Sequence, residues 1–259
     1  MTFFEAILIA IVEGLTEFLP VSSTGHMILA SAALGMENTP FLKTFEISIQ
    51  IGAILAIVTM YIKRFFKSFD ICLKLLVAFI PSAVVGFLAY PYIKEYLFSP
   101  LIVSVTLILG GIILILVDRK VVHKVSRYPE IEKISVKNAF FIGLAQCVSV
   151  IPGVSRAGAT IVGGVFNGLN KKQATEFSFL LAVPTMFAAT GYDLYKTPVA
   201  FTSHEISLLI TGLVTAFLFA WLAVKGFLIL VGKFGFIHFG WYRILVGFLF
   251  LALMGLKII

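Results

Sequence analysis

Six long apolar runs constrain this chain more than any other feature. Thr44–Ile62, Leu75–Tyr92, Leu101–Val117, Glu176–Asp193, Glu205–Val224 and His238–Leu256 each approach the roughly 20 residues that carry an α-helix across a bilayer. The hydrocarbon interior offers no water to backbone N–H and C=O groups, so such runs are expected to be helices that satisfy their own hydrogen bonds. Composition agrees. Of 259 residues, 60% are hydrophobic and 13% charged, whereas soluble domains are about half apolar and about a quarter charged. No polar stretch is long enough to build a soluble head domain. The start, Met1-Thr2-Phe3-Phe4-Glu5, lacks the basic region and small-residue cleavage site of a secretory signal, so the chain is expected to be used whole. Cys72 and Cys147 offer neither a disulfide framework nor metal-ligand spacing. The net charge of +7 points to anionic lipid or an anionic ligand. Nucleic acid is not expected, because the basic residues lie in short loops between apolar runs.

Two further stretches, near 3–35 and 138–169, are apolar but interrupted by Pro, Gly and Ser. Each reads as helix, break, helix. Such a pair enters a membrane and leaves on the same side, with its irregular backbone shielded by protein or a wet cavity. The two stretches match at an offset of 133 residues, the difference between Ser155 and Ser22. At that offset Glu13 falls on Gln146, Val21 on Val154, Gly25 on Gly158 and Ile28 on Ile161, and the first three spans fall near the last three. Three crossings per repeat is an odd number, so the second repeat is inverted relative to the first. The expected fold is therefore all-α: a polytopic membrane protein with six spanning helices and two re-entrant helix pairs in an inverted-topology repeat. It forms a single membrane domain over 1–259, with repeat 1 at about 1–125 and repeat 2 at about 134–259. That architecture places a ligand site near the midplane, lined by broken helices. With the N-terminus outside, inner loops hold 14 basic residues and outer segments hold four, Lys43, Lys94, Lys196 and Lys257, as the positive-inside rule requires. Arg243 is expected near an inner helix end, where it can snorkel to the interface.

The first break reads Glu13-Gly14-Leu15-Thr16-Glu17-Phe18-Leu19-Pro20-Val21-Ser22-Ser23-Thr24-Gly25-His26. Glu13 and Glu17 are four apart and share a helix face. Pro20 favours a helix end just before it. Ser22, Ser23 and Thr24 are suited to cap the next helix, whose free N–H groups and positive end then face the break and suit a phosphate. His26 lies one turn in. A purely structural role for a lone histidine is a hydrogen-bonded core position, and for Ser22 and Thr24 it is plain capping. A pair of carboxylates on one face at membrane depth is costlier and points to function.

The second break reads Gln146-Cys147-Val148-Ser149-Val150-Ile151-Pro152-Gly153-Val154-Ser155-Arg156-Ala157-Gly158-Ala159-Thr160. Pro152 and Gly153 end one helix, and Ser155 can cap the next. Arg156 offers a permanently charged planar fork suited to phosphate oxygens. Its structural alternative is an ion pair with Glu13 or Glu17 that ties the repeats together. Glu46 and Glu176 lie near helix starts, where a carboxylate favours the dipole. Gln50 has two readings, lining a cavity or contacting a helix. His123, His204 and His238 lie in or beside loops, and no His/Cys cluster suggests zinc.

These two stretches closely resemble the signatures of the bacterial undecaprenyl-pyrophosphate phosphatase, or bacitracin-resistance, family. The likeness extends over the whole chain, including Phe45-Glu46-Ile47-Ser48-Ile49-Gln50-Ile51-Gly52-Ala53-Ile54, with Ala157 standing where many members carry Ser. The resemblance implies an enzyme of the bacterial inner membrane whose site opens to the outer side. It would remove the terminal phosphate from a C55 prenyl pyrophosphate and return the lipid carrier for peptidoglycan synthesis. It implies a divalent cation, Mg²⁺ or Ca²⁺, and functional roles for Glu13, Glu17, Ser23, His26 and Arg156. The expected division of labour has Arg156 with Ser22, Thr24, Gly25 and Ser155 binding phosphate, and Glu13 and Glu17 holding the cation. Ser23 is the expected nucleophile, with His26 or Glu17 taking its proton; attack by water, with Ser23 orienting phosphate, stays open. The partners implied are the prenyl pyrophosphate and membrane lipids, with a homodimer left open. A prenyl-phosphate transporter or flippase would use the same cradle, but has no need of a paired carboxylate. A lipid phosphatase of the acid-phosphatase type needs a second His soon after Ser155-Arg156, and residues 157–169 contain none.

Overall fold

The computed structural model describes residues 1–37, 39–67, 69–92, 99–121, 125–196, 201–256 and 258. Lys94, His123, Lys124 and Lys257, assigned to loops above, lie outside the described residues. Among the described residues ten α-helices account for the architecture: α1 Phe3–Thr16, α2 Ser23–Ala33, α3 Pro40–Lys67, α4 Phe69–Tyr92, α5 Pro100–Lys120, α6 Val136–Gln146, α7 Arg156–Phe166, α8 Lys171–Lys196, α9 Ser203–Phe234 and α10 Ile237–Gly255. Among the described residues, six of these (α3, α4, α5, α8, α9 and α10) are long and apolar enough to cross a membrane. The chain is a multi-pass membrane protein.

The helix starts are set by local chemistry. Thr2 accepts from the Glu5 N–H at 3.3 Å while the Thr2 N–H donates to Glu5 Oε2 at 2.7 Å, and Thr202 with Glu205 repeats the arrangement. These reciprocal boxes satisfy donors that a helix start otherwise leaves free. Ser99, Ser135 and Ser155 cap α5, α6 and α7 through their side chains. Several spans run longer than their apolar stretches: the first extends over Pro40–Phe66 and the fifth over Ser203–Phe234.

The helices approach closely where side chains vanish. A Cβ at Gly52 would collide with the Leu213 carbonyl where α3 meets α9, and one at Gly143 with the Ala78 carbonyl where α6 meets α4. In lipid, such small-residue contacts replace hydrophobic driving force with close packing. Gly52→Ala should therefore lower the thermal unfolding midpoint in detergent, reflecting a loss of about 1–3 kcal/mol from overpacking. An unchanged midpoint would remove this contact from the account of stability.

The main packing pairs are α5 with α10, α1 with α9, α3 with α9, α4 with α6, α7 with α8 and α3 with α8. Charged contacts gather at one end. Arg64 on α3 pairs with Glu176 on α8 at 3.0 Å, Lys171 on α8 with Asp118 on α5 at 2.6 Å, and Lys74 on α4 with Asp70. Lys74 Nζ also donates to the Glu132 carbonyl at 2.5 Å. At the same end the Asn138 side chain donates to the Asn167 carbonyl at 2.9 Å, so the start of α6 and the end of α7 lie together. Elsewhere Phe3 at the start of α1 meets His204 at the start of α9, and Phe41 at the start of α3 meets Phe201.

Candidate active site

α1 ends at Thr16, four residues before Pro20 and earlier than expected, and the chain turns through 17–22 before α2 begins at Ser23. Glu13 lies in the last turn of α1 and Glu17 at its C-cap. Ser22 occupies the N-cap of α2, but with φ 71° and no side-chain capping bond. A non-glycine residue in that region costs about 1–3 kcal/mol and persists only where its surroundings enforce it. Here His26 enforces it: His26 Nδ1 lies 2.8 Å from the Ser22 carbonyl and must donate to it. With a neutral ring Nε2 is left as an acceptor for the Tyr242 hydroxyl, which lies 2.7 Å away on α10. The two rings are stacked at 5.4 Å.

The second break holds Arg156 at the first position of α7, behind Ser155. Ser155 Oγ accepts from the Gly158 N–H at 3.0 Å and donates to the Leu19 carbonyl of the first break at 3.3 Å. The guanidinium completes the link between the breaks. Arg156 Nη2 lies 3.0 Å from Glu17 Oε1, both side chains being nearly buried. Its Nη1 donates to the Ser178 carbonyl at 3.1 Å, Nη2 also contacts Met186 Sδ at 3.2 Å, and its plane lies over the Phe18 ring. The other Glu17 oxygen accepts from Ser23 Oγ at 2.5 Å.

Ser23, Glu17 and Arg156 thus form one continuous hydrogen-bonded chain across the two breaks. Three polar atoms here are buried with no hydrogen-bond partner among the described residues: both Glu13 carboxylate oxygens and Arg156 Nε. Glu17, of like charge, follows Glu13 one helical turn on. Thr24 and Gly25 follow in the first turn of α2, and a Cβ at Gly25 would press on Val103 at 3.2 Å. Both His26 ring nitrogens bond elsewhere, so the hydroxyl of Ser23 has Glu17 as its partner. Glu46 lies further into α3 than a helix start and accepts from Ser31 Oγ at 3.1 Å.

A family model for the bacitracin resistance protein BacA matches residues 6–249. This chain belongs to the BacA family. A protein from Wolinella succinogenes named undecaprenyl-diphosphatase is 52% identical over 258 residues, covering 99% of this chain and 100% of that protein. Proteins of the same name from Persephonella marina and Aquifex aeolicus are 52% and 48% identical, each covering 97% of this chain and 98% of the relative.

Two residues at this BacA-family site escape motif reading. Tyr242 lies in an apolar helix 216 positions from His26, and nothing in its neighbours marks it. Arg243 is not at an interface: it is 2% exposed, so the snorkelling expectation is wrong. Its guanidinium bonds four backbone carbonyls, those of Pro20, Thr106, Leu107 and Gly153. A cation this deep in an apolar span was itself the available signal. Gln50 pairs with Thr190 at 3.5 Å. It also lines a cavity of about 630 Å³ between α3, α4 and α8, whose walls include Ile47, Phe79 and Phe87.

Proposed function

We propose that this chain is an undecaprenyl-diphosphatase, releasing inorganic phosphate from undecaprenyl pyrophosphate and returning the monophosphate carrier. The observation that carries this reading is the Arg156–Glu17–Ser23 chain, at 3.0 Å and 2.5 Å, which joins two helix starts suited to phosphate. Phosphoryl transfer requires positioning and charge stabilisation above all. Arg156, with its unpartnered buried Nε, would hold the terminal phosphate beside the first-turn N–H groups of α2. Ser23 Oγ would attack the terminal phosphorus while Glu17 takes its proton, and the bond to the bridging oxygen breaks. Undecaprenyl phosphate leaves with that oxygen, and water then hydrolyses the phosphoserine. Glu17 is the base in reach because both His26 nitrogens are engaged with Ser22 and Tyr242. His26 would instead hold the strained break in shape.

The orphaned oxygens of Glu13 beside Glu17 fit a hard divalent cation. No group of three His, Cys, Asp or Glu residues capable of holding a metal occurs among the described residues. Two carboxylates therefore suit an ion such as Mg²⁺ or Ca²⁺ that keeps water and substrate oxygens in its shell. Bound there, it would offset the negative charge of the pyrophosphate. The apolar walls of the cavity between α3, α4 and α8 suit the start of the isoprenoid tail.

The inverted repeat belongs to the same proposal. The offset of 133 relates α1 to α6 and α9 to α4, so the packing of α1 on α9 has a counterpart in α6 on α4. The starts of α1, α3 and α9 come together through the Phe3–His204 and Phe41–Phe201 contacts, while the mouth of the second hairpin lies among the charged ends of α3, α4 and α8. Both features support two hairpins dipping in from opposite faces, with the outer face of the inner membrane at the end where α1 begins.

The test is phosphate release from undecaprenyl pyrophosphate by the purified protein. Release is expected with Mg²⁺ or Ca²⁺, falling by about tenfold or more with chelator, the scale of a lost charge-stabilising contact. Absence of release with either ion would overturn the assignment.

A further inference from the structure

Arg243 is the one buried guanidinium that the proposed chemistry leaves without a task. It carries a permanent charge, yet among the described residues no carboxylate pairs with it. Its partners are carbonyls from three segments: Nη1 donates to Pro20 at 2.9 Å, Nη2 to Gly153 at 2.9 Å and to Thr106 at 3.1 Å, and Nε to Leu107 at 3.3 Å.

The positions it selects are not arbitrary. Pro20 and Gly153 are equivalent under the offset of 133 that relates the two breaks. Each stands three residues before a site residue, Ser23 in the first break and Arg156 in the second. One planar fork thus grips the same point of both breaks. The α5 side reinforces it: Thr106 Oγ1 donates to the Pro152 carbonyl at 2.8 Å. Gly153 takes φ +85°, and there a Cβ would run into Thr106. The guanidinium also lies beneath the first turn of α7, where a Cβ on Gly158 would come 3.6 Å from Nη1.

We propose that Arg243 is a positioning residue: it fixes the separation of the two breaks, and through them the register of Ser23 and Glu17 against Arg156. The inference rests on the phosphatase reading above. A carbonyl-gripping fork has no shorter equivalent. Lysine keeps the charge but has a single nitrogen at its tip, and methionine keeps the bulk with neither charge nor donors. None of the four residues whose carbonyls Arg243 grips is among those lining the apolar cavity that would receive the lipid tail, so the damage should fall on turnover and spare substrate affinity.

The experiment measures kcat and KM for undecaprenyl pyrophosphate with Arg243→Lys, Arg243→Met and Thr106→Val, each normalised to monodisperse, helical protein. The expected order is a kcat loss of several fold for Thr106→Val, about tenfold or more for Arg243→Lys and about a hundredfold or more for Arg243→Met, with KM within about threefold throughout; a 1 Å misplacement of reacting groups has effects of this size. A merely structural role would reduce the yield of folded protein and leave kcat of the folded fraction at the wild-type value, which overturns the proposal. If the Arg243 variants do not fold, Thr106→Val decides it by the same criterion. A wild type that releases no phosphate overturns the phosphatase reading and this inference with it. An active wild type with unaffected variants overturns this inference alone.

Discussion

Replacing Arg156 with alanine is expected to lower phosphate release by about 10³-fold, the scale reached when an arginine that stabilises a transferring phosphoryl group is lost. The variant should also melt earlier. Arg156 and Glu17 are both nearly buried and 3.0 Å apart, and breaking a buried pair from one side strands the other charge, at about 3–5 kcal/mol. The two effects can be separated. A double variant, Arg156→Leu with Glu17→Leu, removes both charges and should recover much of the lost stability, because a well-packed apolar pair often equals an ion pair in a buried site. It should recover no activity. Thermal unfolding and phosphate release on the same preparations check both halves. Near-normal turnover in Arg156→Ala would remove the phosphate cradle.

Substituting glutamine for Glu13 should produce the opposite combination, with activity down by about a hundredfold or more and stability unchanged or raised. Both Glu13 oxygens are buried without a hydrogen-bond partner among the described residues, and the carboxylate of Glu17 follows one helical turn on. An amide of the same shape removes the like charge and can donate a hydrogen bond to the neighbouring Glu17 carboxylate. The loss of function follows from the proposed cation, because removing a catalytic electrostatic contact costs about 10²–10³-fold, and the remaining activity should require more Mg²⁺. If Glu13→Gln destabilised the protein and kept its cation dependence, Glu13 would be a packing residue and the metal would have to sit elsewhere.

Much of this was legible in the order of residues. The six spans follow from hydropathy, and their ends fell short where helices continue past the apolar stretch into polar ends, as α3 does through Lys63, Arg64 and Phe65. A hydropathy window detects the lipid-contacting part of a helix and not its length. An ion pair of Arg156 with Glu13 or Glu17 was legible only as the structural alternative to phosphate binding, and the fold makes it with Glu17. Tyr242 and Arg243 were not legible in the same way. Their partners are backbone carbonyls and a ring far away in the chain, and no local pattern encodes which face of α10 meets the breaks. The capping expectation for Ser22 failed for a related reason: its backbone is held by His26 and not by its own side chain.

The Arg156–Glu17 ion pair has a consequence for the order of events. The resting protein carries its own surrogate for the incoming anion, since Glu17 already occupies one arm of the guanidinium. Admission of a substrate is then an exchange of one counter-charge for another, and the affinity measured is a difference between two pairings. The same rivalry operates on the way out. In the proposed cradle Glu17, 3.0 Å from the arm in the resting protein, would reclaim it after cleavage in competition with the product phosphate.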